Sequence, residues 1–116
     1  MGVRDILKRM TASVEELDRD RRRRECDALG ATPVAAVGPR SRAKVSGEVV
    51  SVRIVPRAGA PSLEVAIDDG YGRAVAVFFG RKGLGGLNPG RRLVVEGVAQ
   101  HERGRTVFYN PAYTLL

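Results

Sequence analysis

The sequence predicts a mainly β protein, a five-stranded Greek-key barrel preceded by an N-terminal helical segment. Three observations predict it. The hydrophobic period changes from helical to alternating near residue 41. Five strand-like runs follow, with Gly47 and Gly97 placed where the first and fourth could bend sharply. A glycine-rich stretch from Gly80 to Gly90 separates the third run from the fourth, as the long connection of such a barrel requires. Residues 1–40 are accordingly read as a helical extension and linker, and 41–116 as the barrel.

In the extension, Val3, Ile6, Leu7 and Met10 recur at helical spacing and form one apolar stripe. Ser13 and Glu16 have the spacing of a capping box, which predicts a second helical stretch from there. Glu15 and Arg19, Asp18 and Arg22, and Asp20 and Arg24 are acid-first pairs four residues apart, each supporting a helix by a few tenths of a kcal/mol. Gly30 is placed to end the helix, and Pro33 discourages a restart.

In the barrel region, Ala43–Val55 is rich in β-branched residues, and 56–61 (Pro-Arg-Ala-Gly-Ala-Pro) is loop chemistry. Leu63, Val65 and Ile67 alternate with Glu64, Ala66 and Asp68, the mark of a half-buried strand. Asp68-Asp69-Gly70-Tyr71-Gly72 is a tight hairpin turn and Arg73–Phe79 the returning strand. Arg91–Ala99 forms the fourth strand, 100–105 a polar loop, and Thr106–Phe108 the start of the last strand, whose end Pro111 interrupts.

The net charge is +7, and 17 of the 20 basic residues are arginine. Residues 1–40 carry 9 basic and 7 acidic side chains, residues 41–116 carry 11 and 6, so the excess lies mainly on the barrel. Such an excess attracts polyanions, nucleic acid or acidic lipid. The run Arg21–Arg24 admits two readings, a nucleic-acid contact or a helix face neutralised by Asp18, Asp20, Glu25 and Asp27. Cys26 is the single cysteine, which excludes an internal disulfide and a cysteine-based zinc site and fits a reducing compartment. No apolar run approaches the roughly 20 residues that span a bilayer, and the N-terminus lacks a secretory hydrophobic region. Met1-Gly2 begins like an acylation site, but Ile6 stands where a serine or threonine is needed. The expectation is a cytoplasmic protein with no membrane partner.

The order of these features resembles the OB-fold nucleic-acid-binding family. It is similar to the barrel in the wedge domain of RecG-type helicases and to small stand-alone actinobacterial OB-fold proteins. The resemblance covers about 40–116 and rests on Val45-Ser46-Gly47-Glu48-Val49, the Asp68–Gly72 hairpin and Phe78-Phe79. It continues through Leu87-Asn88-Pro89-Gly90, Leu93-Val94-Val95-Glu96-Gly97 and Tyr109-Asn110-Pro111-Ala112-Tyr113. No helicase motor motif accompanies them. A five-stranded SH3-like barrel is the competing architecture.

The resemblance implies a ligand groove across the second and third strands, flanked by the loops joining strands one to two and four to five. Arg53, Arg57, Arg73, Arg81, Lys82, Arg103 and Arg105 would contact phosphates there. Tyr71 and one of Phe78 or Phe79 would stack on bases. Neighbouring strand residues point to opposite faces, so Phe78 and Phe79 cannot both enter the core of a regular strand, nor can Phe108 and Tyr109. One ring of each pair lies outside the barrel or beneath the N-terminal helices. The opposing reading is that the arginines are scattered solubilising charges and that Tyr71 packs within its turn.

Nothing in the pattern points to catalysis. His101 is the single histidine, with no nucleophile at suitable spacing and no partners for a metal site. Asp68-Asp69 precedes glycine and reads as a turn former. Residues 80–86 lack the lysine followed by serine or threonine that a phosphate loop needs. Cys26 has arginines nearby but no catalytic partner. No cofactor or metal is expected. The expected function is non-catalytic binding of single-stranded DNA or RNA with little sequence preference. The alternative is a protein-interaction adaptor or self-association through the N-terminal helices.

Overall fold

A computed structural model describes residues 2–116. One helix, α1 (Val3–Ala28), and a short 3-10 turn (Val34–Ala36) precede six strands: β1 (Arg42–Arg57), β2 (Ala60–Asp68), β3 (Arg73–Phe79), β4 (Arg92–Glu102), β5 (Arg105–Tyr109) and β6 (Ala112–Leu115). The strands run in the order β1-β2-β3-β5-β4, and β1 pairs again with β4, which closes the barrel. All pairings are antiparallel except β3 with β5. The expected last strand is present in two pieces: Asn110, with φ of 47°, and Pro111 break it, and β6 continues along the first half of β4.

Alternation sorts the side chains. Val45, Val49, Leu63, Val65, Ile67, Ala74, Ala76, Phe78, Leu93, Val95, Ala99 and Phe108 fill the interior, and Leu87 of the glycine-rich connector joins them. Gly47 is obligatory at its position. A Cβ there would stand 2.3 Å from Ile67 Cγ2 and 2.9 Å from the Asp68 carbonyl oxygen, so the bend of β1 across β2 leaves room for hydrogen alone.

Three local expectations change. The loop foreseen over 56–61 is a two-residue turn at Ala58-Gly59, both with positive φ, and Pro56 and Pro61 face each other in the ladder. The polar loop over 100–105 is likewise a two-residue turn at Arg103-Gly104. The two helical stretches are one continuous helix. Ser13 lies in its interior, and the N-cap is Gly2 with no side-chain cap. Gly30 does terminate the helix region, at φ of 63°.

The last third of α1 docks on the barrel, through Arg21, Arg22 and Arg23 of the run that sequence left between two readings. Arg22 and Arg21 donate to Glu48 at 2.8 and 3.1 Å, and Arg23 donates to the Gly70 carbonyl at 2.8 Å. Arg92 of β4 reaches Glu25 at 3.1 Å. Beneath them Asp69 is fully buried and accepts from the backbone N–H groups of Val34, Tyr71 and Gly72 at 2.8–2.9 Å, tying the hairpin to the 3-10 turn. Cys26 is sealed beside it. Burial, and then the Asp69 charge, raise its thiol pKa, so the nearby arginines do not activate it.

Candidate functional site

The outward face of β2, β3 and β5 carries Glu64, Val75, Val77, Phe79, Val107 and Tyr109. Pairing places Arg53, Glu64, Val77 and Tyr109 in one row across four strands. The turn of the β1–β2 hairpin and the turn of the β4–β5 hairpin face each other over this surface. Between them lies a cleft of about 360 Å³ lined by Val55, Pro56, Arg57, Glu102, Arg103 and Arg105.

Glu64 organises the cations. Its side chain is almost fully buried, and its carboxylate accepts from Arg53 and Arg57, each at 2.9 Å, with Arg105 at 3.9 Å. One carboxylate therefore gathers three guanidiniums and leaves a net positive cluster. The hydrogen bond to Glu64 raises the Arg57 pKa beyond its ordinary value. The Arg57 Nε is buried and, among the described residues, has no acceptor.

Aromatic rings edge the same cluster. Phe79 is 47% exposed and stacks on Tyr109, with ring centroids 5.5 Å apart and planes within 1°. The Arg57 guanidinium lies 5.8 Å from the centroid of the Tyr109 ring. Tyr109 donates its hydroxyl hydrogen to Glu102, which raises its pKa and orients the ring. Asn110 Oδ1 accepts the Phe79 N–H at 3.0 Å and fixes the end of β3.

The structure brings together Arg53, Arg57, Phe79, Arg103 and Arg105 of the residues selected from sequence. Arg73 and Arg105 stand just upstream of the Ala74–Thr106 pair, at the starts of neighbouring parallel strands and on the outward side. Arg73 is held by Asp68 at 3.1 Å, and that end of the face is bordered by Glu15, Asp18, Arg19 and Arg22 of α1. Arg81 and Lys82 are exposed in the connector just beyond Phe79. Two aromatics fall elsewhere. Phe78 points inward and meets Tyr113 edge to face, so of the adjacent pair Phe79 is the outer ring. Tyr71 is engaged by α1: its hydroxyl donates to Asp27 at about 3.0 Å, and Arg23 lies 5.1 Å from its ring centroid. It therefore pins the helix rather than edging the cleft. The polar contacts of α1 fall on Glu48, Asp68, Gly70, Tyr71 and Arg92, none of which lines the Arg57–Arg105 cleft.

Sequence reasoning missed Glu64 and Tyr109. A glutamate alternating with apolar residues reads as an ordinary solvent-facing position, and only strand register shows that three arginines converge on it. The pairing of Phe108 with Tyr109 did signal that one ring faces outward, but its stacking on Phe79 depends on the parallel contact between β3 and β5.

These features define a mainly β barrel with a helix braced on one end and a cationic, aromatic-edged cleft between two hairpins. The same fold occurs in RecG. A solved structure of RecG bound to a three-way DNA junction matches 66% of this chain with a TM-score of 0.56 and 20% sequence identity. The match spans 11% of that RecG chain. No protein-family model and no curated protein matches the sequence.

Proposed function

We propose that this chain is a non-catalytic OB-fold protein that binds single-stranded DNA or RNA in the cleft between the β1–β2 and β4–β5 hairpins, with little sequence preference. The observation that carries the reading is the exposed Phe79–Tyr109 stack set beside Arg53, Arg57 and Arg105. Single-strand binders pair cations for the phosphates with ring faces for the bases, and every base has a face to stack. Neither turn presents a helix to enter a duplex groove. The fold likeness to RecG, which is itself captured on a DNA junction, is in keeping with this role.

In this reading Arg57, Arg103 and Arg105 contact phosphates, Arg53 reinforces them, and Arg81 and Lys82 extend the track past Phe79. Arg73 stands beside Arg105 at the start of β3, held by Asp68 where α1 brings Glu15, Asp18, Arg19 and Arg22. The role needs no proton transfer, and His101 sits with Nε2 2.9 Å from the Val37 carbonyl oxygen, in a packing position. A cytoplasmic bacterial setting belongs to the same proposal.

Fluorescence anisotropy with labelled single- and double-stranded oligonucleotides across a salt series tests it. Preference for single strands, weakening as salt rises, is the expected outcome. Equal affinity for duplex, or binding insensitive to salt, would remove the proposal.

A further inference from the structure

The N-terminal part of α1 extends beyond the barrel, and its apolar residues through Leu17 stand in water. Val3, Ile6, Leu7, Met10, Val14 and Leu17 are all exposed, Leu17 by 67%. Val3, Leu7, Met10, Val14 and Leu17 are spaced 4, 3, 4 and 3 residues apart, the seam of a coiled coil. At 100° per residue this seam lies roughly 150° around the helix from Arg19, Arg22, Arg23 and Cys26, the positions that meet the barrel. The protein's own barrel therefore cannot cover it. An exposed apolar stripe of this length marks an interaction surface.

Charge identifies the occupant. Residues 3–12 carry three basic side chains and one acidic, whereas 13–20 carry four acidic and one basic. Such a helix is complementary to a second copy of itself running the opposite way. We propose that two copies of this chain associate through residues 3–21 of α1 as an antiparallel helix pair. In the register with the most apolar layers, Leu7 meets Leu17 of the partner subunit and Met10 meets Val14 of the partner subunit, each pairing occurring twice. The same register sets Arg4 beside Asp18 of the partner subunit at both ends. A parallel pair lacks this match and faces Asp20 with Glu25 of the partner subunit. The seam ends at Arg21, which turns to Glu48, so the two barrels sit at opposite ends of the pair with both clefts open.

Sedimentation velocity on the full chain over a concentration series, with and without a single-stranded oligonucleotide, reads the association directly. The expected result is a monomer–dimer equilibrium that Leu7→Glu with Leu17→Glu shifts to monomer, with helix content by circular dichroism retained in the docked third. Arg4→Glu and Asp18→Arg each weaken the dimer at least threefold, and the two together restore it. In a Cys26→Ser background, mixed Leu7→Cys and Leu17→Cys chains oxidise to the 7–17 heterodimer in preference to 7–7. A monomer at every concentration, or a dimer unaffected by the Leu7 and Leu17 changes, overturns the proposal. Preferential 7–7 cross-linking, or no rescue by the double charge swap, overturns the antiparallel arrangement. Oligonucleotide binding by the monomeric variant is expected to persist per cleft, so failure of either proposal is read separately.

Discussion

The rings of Phe79 and Tyr109 lie parallel, 5.5 Å between centroids, on the outward face of two strands that run in the same direction. Large rings on a barrel's outer surface cost hydration unless something covers them, and the docked third of α1 lies at the other end of the barrel. Replacing Phe79 with alanine should lower single-strand affinity by about 1–3 kcal/mol, the usual worth of one stacked base. Because nearly half of the residue is in solvent, urea unfolding should change by less than about 1 kcal/mol. Anisotropy and urea melts on the same preparation separate the two effects.

Arg103 and Arg105 occupy the β4–β5 turn and its exit, facing Arg57 over the cleft. If both contact phosphates, replacing both with alanine lowers affinity and reduces the slope of log affinity against log salt by about 1.4, since each contact on a single strand contributes roughly 0.7. An unchanged slope would exclude this turn from the contact surface.

The strand pattern was legible because apolar alternation is a local property: Leu63, Val65 and Ile67 declare their face without knowledge of any partner. The convergence of Arg57, Arg103 and Arg105 followed from fold resemblance, which places their hairpins on one side. Arg22, Tyr71 and Glu64 were not legible. Each is a polar residue whose role is set by what lies opposite it in space, and sequence spacing along α1 offered Arg22 the wrong acid, Asp18, in place of Glu48 and Asp68.

Gly47 was read as a bend and is also a close contact. Gly47→Ala places a methyl group against Ile67 and the Asp68 backbone, and backbone cannot step aside as a flexible side chain can. Destabilisation of about 2 kcal/mol or more is expected, seen as a lower urea midpoint.

Glu64 restrains the arginines it gathers. Glu64→Gln keeps the shape of the side chain and removes its charge, freeing Arg53 and Arg57 for an incoming phosphate. Single-strand affinity should rise by about 1 kcal/mol, the scale of one unit-charge interaction at about 4 Å through water. Folding stability should fall by about 1–2 kcal/mol, because the charged hydrogen bonds to Glu64 weaken. Loss of affinity in this variant would mean that Glu64 positions the arginines more than it competes for them.

Docking of α1 should depend on pH through Glu48. Burial works to raise the pKa of this carboxyl, but hydrogen bonds from Arg22 and Arg21 and their positive charges prevail and hold it below the ordinary value. A carboxyl with a lowered folded pKa contributes stability that is complete above the unfolded value of about 4.3 and is lost as pH falls through the lower folded value. The helix should therefore stay seated at neutral pH and loosen only under acid, below about pH 4. Cys26, fully buried beneath the docked turn, reports the event. Its reaction with a dithiodipyridine, which proceeds in acid, should accelerate over that range. Glu48→Gln should show faster labelling already at neutral pH and a flatter acid dependence, and identical profiles for the two proteins would show that the Arg22–Glu48 contact does not hold the helix down.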